Sequence, residues 1–259
     1  MKIVAFVGLK GSGKDASADL LKKAKRSKGK VSFAKPLKEI CSKVFKIPMN
    51  YFEQVELKEK KLETSVSLTP RILKAILREC ERLVPPIDGD IIKYRPSTVT
   101  GVGLLNRTLH TPREILQVVG SEFIRDQVYE NFHIEAAFTD FHNKTEGLYC
   151  VTDCRFPNEY EYLKNTFGED LQAFYLERDS ELYSSGDVHQ SEQNIMLLKE
   201  AMPEDSVVDN SGTLDDLKKK LLSLVPVYKP TGKRRGPKKT INVKNSKTIQ
   251  AGRFGFVKR

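Results

Sequence analysis

Eight residues near the N-terminus constrain this chain more than any others: Gly8-Leu9-Lys10-Gly11-Ser12-Gly13-Lys14-Asp15. An apolar run at 3–7 precedes them and a helix-like run at 16–24 follows. Strand, glycine-rich loop and helix in that order are the context that G-x-x-x-x-G-K requires. Glycines let the backbone curl so that successive N–H groups point inward at phosphate oxygens. The helix N-terminus adds partial positive charge. Lys14 then brings an ammonium to the terminal phosphates of a nucleotide. A chance glycine-rich turn is the competing reading, and the three glycines, the lysine and the flanking elements weigh against it. Asp15 stands where the motif usually has Ser or Thr, whose hydroxyl goes to magnesium. Asp15 is thus either a direct or water-mediated magnesium ligand or a helix-start acid. Ser17 is a second hydroxyl, expected to face core or solvent.

The rest of the body alternates strand-like with helix-like runs, the pattern of a parallel sheet covered on both faces. Strands are expected at 3–7, 31–34, 148–152, 171–176 and 206–208. The predicted fold is therefore α/β: a three-layer phosphate-loop NTPase fold with a mostly parallel five-stranded sheet. The stretch from about 45 to 110 holds one good helix after Thr69-Pro70, then Pro85-Pro86, Asp88-Gly89 and a Gly101/Gly103 loop. It reads as a largely helical insertion outside the sheet, of the kind that covers a substrate site.

Chemistry-bearing residues cluster at the carboxyl ends of strands, where ligands of such sheets bind. The run 148–152 ends in Asp153-Cys154-Arg155. A buried strand ending in Asp resembles the acid that holds magnesium through water. The alternative is an Asp–Arg surface ion pair. Thr111-Pro112-Arg113-Glu114 reads as a capping box opening a helix with the apolar face Ile115, Leu116, Val119, Phe123 and Ile124. Arg113 and Gln117 lie one turn apart on it. Arg113 can grip an acceptor phosphate while Gln117 reads a base or ribose, or both belong to a solvated first turn. Arg125 either stabilises a transition state or coats the helix. Arg178 follows a strand and can reach a donor nucleotide. Asn210-Ser211-Gly212-Thr213 reads as a turn with Gly212 left-handed and Thr213 capping the last helix.

The net charge of +10 does not belong to this body. Eleven of the 44 basic residues follow Pro226 with no acid among them, leaving 33 basic against 34 acidic residues before it. The division is a phosphate-loop domain at 1–225 and a basic tail at 226–259, expected to be disordered because it repels itself and has few apolar residues. The tail suits weak, non-specific DNA contact or docking on an acidic protein, or is a dispensable solvated end. Cys41, Cys80, Cys150 and Cys154 form no C-x-x-C, so a reduced cytoplasmic protein is expected. With no apolar run near ~20 residues, a transmembrane protein is excluded, and the first residues read as a strand rather than a signal peptide.

The ordered set of motifs resembles the deoxynucleoside monophosphate (dNMP) kinases of tailed bacteriophages. The resemblance runs through 8–15, Ala34-Lys35-Pro36-Leu37-Lys38, Arg113-x-x-x-Gln117-x-x-Gly120, Asp153-x-Arg155 with Glu159, His189 with Glu192, and Val208-Asp209-Asn210-Ser211-Gly212-Thr213-Leu214. It spans residues 3 to about 224. It implies an adenylate-kinase-like sheet and transfer of the γ-phosphate of ATP to a dNMP, with Mg2+. By resemblance ATP lies on Lys10, Gly11, Ser12, Gly13, Lys14 and Asp15, with Arg178, Asn210 and Gly212 completing its site. The dNMP falls to Lys38, Arg113, Gln117, His133, Asp153 and Glu159. Lys14, Arg113, Arg125, Asp153 and Arg155 carry catalysis, and Asp15 and Asp153 hold the metal. A homodimer is left open. Two departures stand out: Ala16 replaces a family Thr after Lys14-Asp15, and His133 stands where a relative has Trp. The competing functions are another small-molecule kinase with this loop, of the dephospho-coenzyme A or phosphomevalonate type, and a nucleic-acid-binding protein with a regulatory ATP site.

Overall fold

The computed structural model describes residues 1–84, 101, 103–139, 146–178 and 190–229, without the side chains of 190–193. In chain order it contains β1 (Lys2–Val7), α1 (Lys14–Lys23), β2 (Gly29–Val31), α2 (Ala34–Phe45), α3 (Asn50–Glu53), α4 (Val55–Lys58), β3 (Val66–Ser67), α5 (Pro70–Leu83), β4 (Thr108–Leu109) and α6 (Pro112–Gln117). A π-helix (Val118–Val128), α7 (Phe132–Thr139), β5 (Leu148–Val151), α8 (Pro157–Phe167), β6 (Leu171–Glu177), α9 (Gln190–Ala201), β7 (Val207–Asp209) and α10 (Leu214–Leu224) follow.

Five strands form one sheet in the order β2-β5-β1-β6-β7. Every neighbouring pair is parallel. The central strand shows why the fold is three-layered. Its side chains alternate by the strand period: Ile3, Ala5 and Val7 enter one apolar cluster with α8 and α9 residues, and Val4 and Phe6 enter another with Ala18, Leu21, Leu217 and Leu221. All five are fully buried.

The 45–110 stretch is more than a cover. Phe52, Leu68, Leu73, Ile76, Leu77, Leu104 and Leu109 build a separate helical core with α2, α6 and the π-helix. A two-stranded antiparallel ribbon, β3 with β4, which the sequence did not suggest, ties the middle of the stretch to its C-terminal end.

Two local expectations are corrected. The expected strand 31–34 ends at Val31, because Asp153 takes the Phe33 and Ala34 N–H groups and starts α2 there. The expected continuous α-helix after Thr111 widens at Val118 into π winding. Its buried positions, Val119, Phe123, Ile124 and Val128, recur every four to five residues, a spacing that also fits the wider turn. The caps themselves hold. Thr69, Thr111 and Thr213 accept from Ile72 N (3.3 Å), Glu114 N (3.1 Å) and Asp216 N (3.2 Å). The Glu114 carboxylate, however, reaches back to His110 N rather than to Thr111.

Candidate active site

The phosphate loop curls as its glycines allow. Gly11 and Gly13 have φ of 82° and 97°, a region side chains avoid. At Gly13 a Cβ would stand 2.4 Å from Asn210 Nδ2. That amide donates to Ser12 O at 2.8 Å, so the turn after β7 braces the loop from below. Asn210 is buried, and its own N–H closes on Glu177 O. The ammonium of Lys14, itself buried, donates to Gly8 O at 2.5 Å and Leu9 O at 2.7 Å. A fixed positive charge thus sits within a ring of loop backbone. Lys10 and Gly11 are exposed at its rim, and Ser12 is buried beneath.

Two carboxylates flank this loop, joined by consecutive residues. Thr152 donates its hydroxyl to Asp15 Oδ1 at 3.0 Å, and Lys30 pairs with the same oxygen at 3.2 Å. Partial burial pushes the Asp15 carboxyl up, but Lys30 and Thr152 outweigh it and hold it below its ordinary value. The next residue, Asp153, accepts from Ser32 Oγ (2.7 Å), Phe33 N (3.1 Å) and Ala34 N (3.0 Å). A carboxylate has about four acceptor positions. Asp153 has one left, whereas Asp15 is mostly exposed and keeps two. Ser17 is fully buried, one of the two placements expected of it.

Beyond Asp153 opens a cavity of about 190 Å3. Phe33, Ala34 and Leu37 of the α2 start form one wall, Asp153, Arg155, Phe156 and Glu159 another. Leu116, Gly120, Ser121 and Arg125 form the third, a spacing of four to five residues that π winding puts on one face. At Gly120 a Cβ would come within 2.5 Å of Leu37, so glycine lets the two helices close on the cavity. Arg125 does not coat its helix. Its guanidinium bonds Glu159 Oε1 at 2.8 Å and lies 3.7 Å from the Phe156 ring centre. Glu159 also receives Arg155 N (2.8 Å) and Phe156 N (3.1 Å), which caps α8. Burial pushes this carboxyl above its ordinary value, while Arg125 and the Arg155 amide pull it back. Glu159, expected to touch substrate, is therefore bound chiefly to the protein.

His133 forms part of the same wall, with Nε2 at 3.0 Å from Gly120 O and Nδ1 buried without a partner. Burial, with Arg125 nearby, pushes its pKa down to about 4. The unfolded chain takes up a proton near pH 6.5 that folded His133 refuses until about pH 4. Its contribution is full above pH 6.5 and is lost as pH falls, by roughly 2 kcal/mol between pH 7 and 5. Urea unfolding across this range should show that loss, and His133→Gln should remove at least half of it. Equal slopes in both proteins would place the titration elsewhere.

The structure separates other expected residues. Arg113 ion-pairs with Glu59 instead of lining the cavity. Gln117 is exposed on the following turn. Lys38 is half-buried one turn past Ala34. Arg178 is exposed at the end of β6. Gly212 is exposed and, contrary to expectation, has no positive φ; Thr213 and Asp216 alone make that cap. His189, the Glu192 side chain and the tail from 230 lie outside the described residues. Sequence reasoning missed Thr152, Lys30 and Phe156. The Thr152–Asp153 dipeptide at a strand end was a usable signal; for the others there was none.

Among the described residues no helix is long and apolar enough to cross a membrane. Comparison with individually curated proteins gives no match. A family model, by contrast, matches nearly the whole body. A braced phosphate loop at the carboxyl edge of a parallel sheet, next to an arginine-lined cavity, is an arrangement that family's chemistry can use. Matching the deoxynucleotide monophosphate kinase model over residues 2–221, the chain belongs to that family.

Proposed function

We propose that the protein transfers the γ-phosphate of ATP to a deoxynucleoside monophosphate, giving the diphosphate and ADP. The observation that carries this reading is the Thr152–Asp153 corner. Thr152 bonds Asp15 at the phosphate loop, and Asp153 bonds the start of α2 in the cavity wall. Donor and acceptor sites therefore meet across two adjacent residues, and an in-line transfer needs them that close.

In this reading the loop N–H groups and Lys14 hold the ATP phosphates. Arg125 and Arg155 supply positive charge where the migrating group gains negative charge. Glu159 fixes Arg125 in place before substrate arrives. Phe33, Leu37 and Phe156 give the cavity apolar walls that keep out water, which would otherwise accept the phosphoryl group. The donor set suits magnesium, a hard cation that takes one or two carboxylates and completes its shell with water and phosphates. Asp15, with Oδ2 open, would hold it, and Asp153 would reach it through water. Bound there, magnesium neutralises phosphate charge. The four buried cysteines form no disulfide, which suits a reducing cytoplasm. The basic tail would add weak, salt-sensitive DNA contact.

The test is ADP release with ATP and each of the four common dNMPs, with ribonucleotide controls. Turnover with at least one dNMP, dependent on magnesium, is the expected result. Hydrolysis of ATP that no monophosphate stimulates would overturn the proposal.

A further inference from the structure

Lys30 is the middle residue of β2, an edge strand of the sheet. Its partner in register on β5 is Cys150, which enters the apolar cluster of Ala18 and Leu21 of α1. Neighbours in register share a face of the sheet, so Lys30 emerges toward α1. There it meets two carboxylates, Asp15 and Asp19, one turn apart on that helix. Its ammonium stands 3.2 Å from Asp15 Oδ1 and 3.1 Å from Asp19 Oδ1, placed to pair with either. Thr152 donates to the same Asp15 oxygen at 3.0 Å. Both bonds use Oδ1, which leaves Oδ2 of Asp15 open.

We propose that Lys30 is an exchangeable counter-ion of Asp15, which passes to Asp19 when magnesium takes the Asp15 carboxylate. The inference rests on the magnesium reading of Asp15 above and adds to it how the metal enters. A divalent cation on Oδ2 stands close to an ammonium on Oδ1 of the same carboxylate, and the two repel. Lys30 can withdraw without being left unpaired, because Asp19 already lies within reach. Partial burial pulls the Lys30 ammonium down, but Asp19 and Asp15 outweigh it and hold it above its ordinary value. The side chains of Asp15 and Asp19 are 76% and 54% exposed, and ion pairs so exposed hold loosely and exchange readily. Thr152 is neutral, so its bond to Oδ1 can hold the carboxylate's orientation while the cation changes. Lys14 also acts on Asp15 through its charge. A carboxylate left with neither Lys30 nor a metal would compete with the nucleotide phosphates for Lys14.

Mn2+, like magnesium an octahedral oxygen-binding cation, reports its own binding by electron paramagnetic resonance without any turnover. It is titrated into the full chain with a non-hydrolysable ATP analogue bound. Lys30→Met keeps the aliphatic stem and removes the charge. It should tighten Mn2+ binding ~3- to 10-fold, because a competing charge has gone. Asp19→Asn should weaken Mn2+ binding ~3- to 10-fold, because Lys30 then has Asp15 alone. In the Lys30→Met, Asp19→Asn double variant the Asp19 effect should shrink to within about twofold. A weakening by Asp19→Asn that is equal in both backgrounds would overturn the proposal, since Asp19 would then act on the metal directly. So would a Lys30→Met protein that binds Mn2+ no more tightly than the parent, since Lys30 would then support Asp15 rather than compete for it. Lys30→Gln repeats the measurement should Lys30→Met lower the melting point. Asp15→Asn tells the two failures apart. If it loses Mn2+ while Lys30→Met changes nothing, the exchange falls and the magnesium reading stands. If it binds Mn2+ as the parent does, Asp15 is no ligand and both fall.

Discussion

Replacing Lys14 by Ala should lower turnover by at least ~100-fold in a protein that still folds, since the lost charge stabilises the migrating phosphoryl group by several kcal/mol. The structure sharpens this expectation. Lys14 Nζ is held by Gly8 O and Leu9 O, inside the ring of loop backbone rather than on its outer surface. The ammonium is therefore in position before nucleotide binds, and little reorganisation is needed at the moment of transfer. The loop itself does not depend on Lys14 alone. Asn210 Nδ2 braces Ser12 O, and Ser12 N bonds Leu9 O. Lys14→Ala should thus keep the parental melting point within a few degrees while kcat collapses. ATP affinity should fall less, because the loop N–H groups remain. Near-parental turnover in the folded variant would remove the phosphate-loop reading.

Features set by neighbours in sequence were legible beforehand; features set by distant partners were not. The strand at the sheet centre was visible because a wholly apolar run before G-x-x-x-x-G-K can be little else. Thr69, Thr111 and Thr213 announced helix starts because a cap is made within three residues. The loop's brace was not visible, since Asn210 reaches Ser12 across 198 residues and any turn of that composition caps a helix equally well. Arg113 and Arg125 show the limit best. Sequence left each with a phosphate role or a solvated one. The structure pairs Arg113 with Glu59 and buries Arg125 against Glu159, contacts that no local pattern announced. Periodicity could not foresee the π winding after Gln117, because apolar residues four to five apart satisfy both helices.

The second large effect concerns stability rather than rate. Glu159→Gln should cost about 3 kcal/mol, the lower end of what breaking a buried ion pair typically costs. The side chains of Arg125 and Glu159 are 13% and 3% exposed. Arg cannot shed its proton in response, so the variant would hold a guanidinium with no anion beside it. The Phe156 ring at 3.7 Å supplies cation–π attraction, worth less than the lost partner. The amide oxygen of Gln can still accept from Arg155 N or Phe156 N, so the α8 cap weakens without vanishing. Glu159→Ala, which removes the cap as well, should lose more. Urea denaturation of Glu159→Gln, Arg125→Met and the double variant forms a cycle. The double variant should be more stable than Glu159→Gln, because it buries neither charge alone, yet it should be inactive, because Arg125 lines the cavity. A loss below about 1 kcal/mol in Glu159→Gln, with no coupling to Arg125, would mean the pair is open to water. Arg125 would then lack the fixed position that the proposed transfer asks of it.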